Sequence, residues 1–360
     1  MNGKRNTIWA LFTCVIMFLT IHAVSMQSRS LSPVDIKREI LNASPLWIML
    51  TLLLMIGFII FEGLSLRYIL RNLGFNTGFT QGLLYSAGDQ FFSAITPSAT
   101  GGQPASAFFM ASSGISGGVI TVCLLTNLIA YTTATSLIGV STILIRPGLF
   151  PTFSPLSRLL ILFGMSAMIL LTLLFSLLLK KGELIRRLLI GLLNTKPASH
   201  LNLNSDMHIK KVNDLVADYK SCAVMISSQK RILIVAIILD LFQRISQISV
   251  TVSLHMALGN SGNIDPCDLW CIQALSQIGS NFVPIPGGMG AADYLMLDGF
   301  KQLFNNDYAC LLQMMSRSCS FYICTFLSMC IVTVGYIRTM IRQKERGEKT
   351  CFYGNTSSIR

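Results

Sequence analysis

The chain has 360 residues, of which 52% are apolar and only 12% charged, and its mean hydropathy is +0.60. Several stretches reach the roughly 18 to 20 apolar residues needed to cross a bilayer core, which excludes an ordinary soluble globular protein. The net charge of +12 does not indicate direct binding of nucleic acid, because most Lys and Arg cluster at the ends of the apolar runs, where membrane topology and anionic headgroups account for them.

The first apolar run, Ile8 to Val24, follows Lys4 and Arg5, so the positive-inside rule places the N-terminus in the cytoplasm. Ala23-Val24-Ser25 resembles a signal cleavage site, but the length of the run and the spans that follow favour an uncleaved first helix. A short external segment with Asp35, Lys37, Arg38 and Glu39 leads to a second span, Pro45 to about Leu66, whose exit is marked as cytoplasmic by Arg67 and Arg71. Thr80 to Ser113 is too polar and glycine-rich for two clean spans and reads as a re-entrant hairpin. A full span from about Gly117 to Ile143 follows, and Arg146, Pro147 and Pro151 mark an outside loop.

The span Leu159 to Leu179 returns to Lys180, Lys181, Arg186 and Arg187. From there to Arg231 runs a polar segment with ten Lys and Arg, read as a basic cytoplasmic loop. Ile232 to about Leu258 crosses outward, Asn260 to Asp268 turns outside, and Leu269 to Phe300 forms a second hairpin. Cys310 to Ile337 crosses inward and ends in Arg338, Arg342, Lys344 and Arg346. Both termini are therefore expected in the cytoplasm.

The two hairpins share one grammar. Ile95 to Pro104, ITPSATGGQP, places Pro97 ahead of Gly101, Gly102 and Gln103; Asn281 to Asp293, NFVPIPGGMGAAD, places Pro284 and Pro286 ahead of Gly287, Gly288, Gly290 and Asp293. Proline removes a backbone donor and glycine permits turns that other residues resist, so neither stretch continues a lipid-facing helix. Irregular backbone at membrane depth survives where it is buried in protein or lines a polar cavity. An ordinary loop outside the membrane is the alternative for either stretch taken alone.

The expected fold is an all-α polytopic membrane protein of about six transmembrane helices plus two broken re-entrant hairpins, or eight spans if the hairpins are counted. Residues 1–345 form one integral-membrane domain and 346–360 a short polar tail. Half-repeats at about 8–143 and 159–337 run in opposite senses across the membrane, an architecture of secondary transporters.

Charged residues within spans mark a polar interior, a pathway or an ion pair. Here they are Glu62, Asp89, Asp240, Arg244, Asp293, Asp298 and Arg317. Asp240 and Arg244 stand four apart and can share one helix face, either as a structural ion pair or with Arg244 also meeting a lipid phosphate. Asp293 follows the glycines directly and is expected to pair with Arg317 or to bind a cationic headgroup. The candidate headgroup residues are Asp240, Arg244, Asp293, Arg317, Gln103, Asp89 and Asn281.

His22, His200, His208 and His255 form no ligand spacing, and Cys14, Cys123, Cys319, Cys324 and Cys330 read as small buried hydrophobes. Cys267 and Cys271 stand four apart without a nearby histidine, which argues against a metal. No nucleophile elbow, phosphate loop or dinucleotide fingerprint occurs. No catalytic residue, metal site or cofactor is therefore expected. A membrane-embedded transferase with Asp293 or Asp89 as base is the rival reading.

The run VPIPGGMGAAD resembles the signature of the flippase-like transmembrane domain of lysylphosphatidylglycerol synthases, the family typified by the N-terminal half of the multiple peptide resistance factor. ITPSATGGQP resembles that family's earlier proline and glycine element, and Arg317 its arginine late in the domain. The family has Glu after each glycine cluster, whereas Gln103 and Asp293 stand here. The resemblance implies movement of phospholipid between leaflets of the cell membrane, of phosphatidylglycerol or its lysyl form, or of a lipid-linked saccharide. It also implies a stand-alone membrane domain, since only Gln343 to Arg360 follows the last span. Partnership with a separate soluble synthase, and self-association into a homo-oligomer, are left open by the sequence.

Overall fold

A computed structural model describes residues 43–96, 99–180, 206–259, 264–281 and 290–338. The described secondary structure is entirely helical: α1 (Pro45–Asn72), α2 (Phe79–Ile95), α3 (Gly102–Ser112), α4 (Gly117–Ile145), α5 (Pro155–Lys180), α6 (Asp206–Ser228), α7 (Lys230–Ala257), α8 (Pro266–Ser280), α9 (Ala291–Phe300) and α10 (Asn306–Arg317). The last helix continues through a π-helical segment, Ser318–Ile323, to Arg338. The expected first span, residues 8–24, lies outside the described residues.

Among the described residues five helices are long and apolar enough to cross a membrane: Pro45–Asn72, Gly117–Ile145, Pro155–Leu179, Lys230–Ala257 and Asn306–Arg338. They match the five later spans expected from hydropathy. Between them stand two broken pairs, α2 with α3 and α8 with α9, where the prolines and glycines interrupt the apolar pattern. The order long helix, broken pair, long helix thus occurs twice. Pro97, Pro284, Pro286, Gly287 and Gly288 lie outside the described residues, while Gly101, Gly102 and Gly290 are within them.

The segment read as a basic loop departs from expectation. Its second half forms α6, which buries Val216, Tyr219, Ala223 and Ile226. Val216, Tyr219, Ala223 and Ile226 recur at helical spacing, a stripe outweighed in the sequence reading by the charges around it. Tyr219 anchors α6 by donating its hydroxyl to Leu178 O of α5 (2.8 Å).

At the centre α1 and α7 pack along their length. Hydroxyls bind the crossing: Thr51 donates to Ser253 (3.0 Å), and Ser253 to Trp47 O (2.9 Å). Small residues let the helix backbones approach, since hydrocarbon gives helices no hydrophobic drive to associate with each other. One such close contact joins α1 to α2, where a Cβ on Gly82 would lie 2.5 Å from Gly63 O. The outer faces carry Leu46, Met49 and Leu53 on α1, Leu159, Leu162 and Leu170 on α5, and Ile234 and Ile238 on α7, all exposed. Those are the faces a bilayer would cover.

Gly82→Val should push α1 from α2 and lower stability by about 1–3 kcal/mol. Thermal unfolding of the purified protein in detergent would read this, with Gly74→Ala as the contrasting site, because no atom lies within 4 Å of a Cβ there and only its positive φ of +90° is strained.

Candidate functional site

The broken pairs and central helices enclose a cavity of about 410 Å³. One wall is polar: α1 contributes Glu62, α2 Asp89 and Gln90, α7 Gln243 and Arg244, and α8 Gln273 and Gln277. Another is apolar, made by Leu128 of α4 with Met168, Leu171 and Phe175 of α5. Because α5 also exposes a leucine-rich outer face, a single helix separates the cavity from the surface there. The space is amphipathic, suited to a ligand with a polar head and an apolar remainder.

Arg244 is the cation most available to such a ligand. Its guanidinium carbon lies 4.3 Å from the Tyr131 ring centre and 5.3 Å from that of Phe58. Nη1 donates to Gln247 Oε1 (2.7 Å), while the buried Nε has no hydrogen-bond partner. Among the described residues no carboxylate lies within ion-pairing distance of it. The expected pair with Asp240 therefore does not close, although the two share a helix face. Among the described residues neither Asp240 oxygen has a partner in hydrogen-bond geometry. Aromatic faces hold the guanidinium in place through its π-system and leave its in-plane donors for another partner.

Asp293 does pair with Arg317, at 3.0 Å from Nε to Oδ1. It is fully engaged: Oδ1 also accepts from Gln313 Nε2 (2.7 Å) and Oδ2 from the Gly290 backbone N–H (2.9 Å). Gly290 turns with φ +82°, a conformation glycine adopts without penalty, and Asp293 caps the start of α9. The carboxylate thus fixes the second broken pair, and its bonds leave little capacity for a cationic headgroup.

The first pair has a matching device. Asp89 accepts from Ser93 on Oδ1 (3.0 Å) and from Gln103 Nε2 on Oδ2 (2.7 Å). A Cβ on Gly102 would fall 1.9 Å from Asp89 Oδ1, so only glycine lets α3 begin there. Gln103 is thereby explained: an amide can donate to Asp89, whereas a carboxylate at that position would face another. Glu62 Oε2 accepts from Gln90 (2.5 Å) and Gln243 (3.0 Å), with the Ser86 hydroxyl also at 3.0 Å. Asn281 lines the cavity and approaches the Tyr131 hydroxyl at 3.4 Å.

Residues the sequence reading did not select complete the site: Phe58, Gln90, Tyr131, Gln243, Gln247 and Gln313. The amides had a visible signal, since Gln243 and Gln247 share a face with Asp240 and Arg244 in an otherwise apolar run. The two aromatic rings had none, because Phe and Tyr are ordinary in spans.

Asp298 lies elsewhere, where it accepts from the Ser154 N–H (2.9 Å) ahead of α5. His255 is buried against Phe304 with Nδ1 2.8 Å from the Tyr308 hydroxyl, a structural placement. His22 and His200 are outside the described residues, and His208 is carried on α6. Cys267 and Cys271 are free thiols beside Asp265 and Asp268, which pair with Arg146 at the end of α4. Among the described residues no group of three or more His, Cys, Asp or Glu is placed to hold a metal ion.

A family model described as "Lysylphosphatidylglycerol synthase TM region" matches residues 8–328. A comparison with curated proteins gives no match.

Asp293→Ala removes the ion pair with Arg317 together with the bonds from Gln313 and the Gly290 N–H, and should cost about 3–5 kcal/mol. Adding Arg317→Met should recover the share of that loss that belongs to the ion pair, which a double-mutant cycle on thermal unfolding would measure. Equal losses in single and double variants would show that Asp293 acts through α9 alone.

Proposed function

Since the chain belongs to the family of lysylphosphatidylglycerol synthase transmembrane regions, and is thereby a membrane component related to lysylphosphatidylglycerol synthesis, we propose that it moves a phospholipid between bilayer leaflets. The carrying observation is Arg244, a buried guanidinium clamped between two rings with donors unmatched by any carboxylate among the described residues. A phosphodiester is the partner whose geometry and charge fit it. The headgroup occupies the polar wall while the acyl chains stay against α5 and the surrounding lipid.

Anionic phosphatidylglycerol satisfies this arrangement through its phosphate. Its lysyl form adds ammonium groups, for which Glu62 and Asp89 are the nearby carboxylates. A second substrate reading, a polyprenyl-linked saccharide, draws support from the amides. Gln273 Oε1 is buried without a partner, and Gln277 stands one turn further along the same helix, a spacing that suits sugar hydroxyls. The setting is a cell membrane with both termini cytoplasmic, as the basic residues at the span ends indicate.

Leaflet-resolved lipid movement in vesicles carrying the purified protein tests this directly, comparing phosphatidylglycerol, lysylphosphatidylglycerol and a polyprenyl-phosphate sugar. Arg244→Ala should slow movement about tenfold or more, the equivalent of a charge-assisted hydrogen bond of roughly 1.5–3 kcal/mol. Arg244→Lys should restore little, because a point charge lacks the planar fork. Unchanged movement in folded Arg244→Ala, or no movement of any of the three lipids, would sink the reading.

A further inference from the structure

Asp240 is fully buried on α7, and among the described residues no donor meets either of its carboxyl oxygens in hydrogen-bond geometry. Ser65 of α1 lies beside it, with its hydroxyl donating to Asn127 Oδ1 at 2.9 Å. A buried carboxyl without a donor in hydrogen-bond geometry is costly unless something positive sits there.

The charges around it sharpen the argument. Glu62 on α1 and Arg244 on α7 are close enough to act on Asp240 electrostatically. Further out stand Asp89 on α2, Tyr131 on α4 and Cys324 in the last span, while Asp293 of α9 is balanced by Arg317. That leaves three carboxyl groups, Glu62, Asp89 and Asp240, beside one guanidinium, Arg244, and each of the four is less than a tenth exposed. Amide donors hold Glu62 and Asp89. Asp240 has no such support, and an isolated buried carboxylate is too costly to persist uncompensated.

We propose that Asp240, with Ser65 beside it and Glu62 facing it, is the binding site of a monovalent cation, either a proton or a sodium ion. Glu62 lines the cavity wall, whereas Asp240 is not among the lining residues and lies behind that wall. The site places a cation on α7 one turn from Arg244. Loading and emptying it therefore changes the field at the guanidinium that would hold an anion.

The test uses the full-length protein purified in detergent, at constant ionic strength. Thermal unfolding is followed as sodium replaces a large organic cation, and the carboxylic-acid carbonyl band is recorded in the infrared near neutral pH. For sodium, the unfolding midpoint of the wild-type chain rises with sodium concentration, and the rise is lost in Asp240→Asn. For a proton, the midpoint ignores sodium, and an infrared band of protonated carboxyl disappears in Asp240→Asn. Ser65→Ala, the milder change, should weaken the sodium dependence or shift the band, and it serves if Asp240→Asn does not fold. Sodium dependence and infrared spectra that are the same in the wild type and the folded variants would overturn the site, whatever lipid movement shows.

Discussion

Backbone that stops being helical inside an apolar layer must find its hydrogen-bond partners within the protein, and the architecture follows from how this is met. At each broken pair a carboxylate stands where the second short helix begins. Asp293 receives the Gly290 N–H directly. Asp89 sits so close to Gly102 that any side chain there would displace it. The glycines and the acids belong together, since the first permit the approach and the second stabilise the helix starts that result.

These acids create a charge problem that the rest of the site answers. Asp293 is neutralised by Arg317 and further held by Gln313, whereas Asp89 is held by the uncharged Gln103. Glu62 is met by two amides from different helices. Amides stabilise a carboxylate without cancelling its charge, so the first half of the site stays negative where the second half is balanced. Arg244 stands against that excess but outside ion-pairing distance, kept in place by Tyr131 and Phe58. A guanidinium held by rings instead of by carboxylates remains available to an anion entering from outside.

The helices also divide the labour by exposure. The centre is α1 against α7, fastened by hydroxyls, with α2 held close to α1 by a glycine contact. The periphery is α5, most of whose surface is apolar and exposed, and which yet supplies the cavity's apolar wall. A lipid with its head among the amides and its chains beside α5 would meet matching chemistry at both ends. Docked beneath, α6 ties the ends of α4 and α5 together through Tyr219 and the close approach of Gly118 to its backbone.

Hydropathy alone located the five described spans to within about six residues at their ends, because crossing hydrocarbon demands an unbroken apolar run that few other structures need. The proline and glycine clusters likewise marked both broken pairs, since backbone chemistry is local and legible in any window. The Asp293–Arg317 pair was also within reach, as both residues border interruptions in apolar sequence. Pairing of the other polar groups was decided by the fold. Spacing put Asp240 and Arg244 on one face, yet the guanidinium turned to rings from α1 and α4 and left the carboxylate alone. Gln103 found Asp89, and Glu62 found Gln243 some 181 positions away. Such partnerships depend on which helix faces cross, a long-range property that no local pattern of residues records.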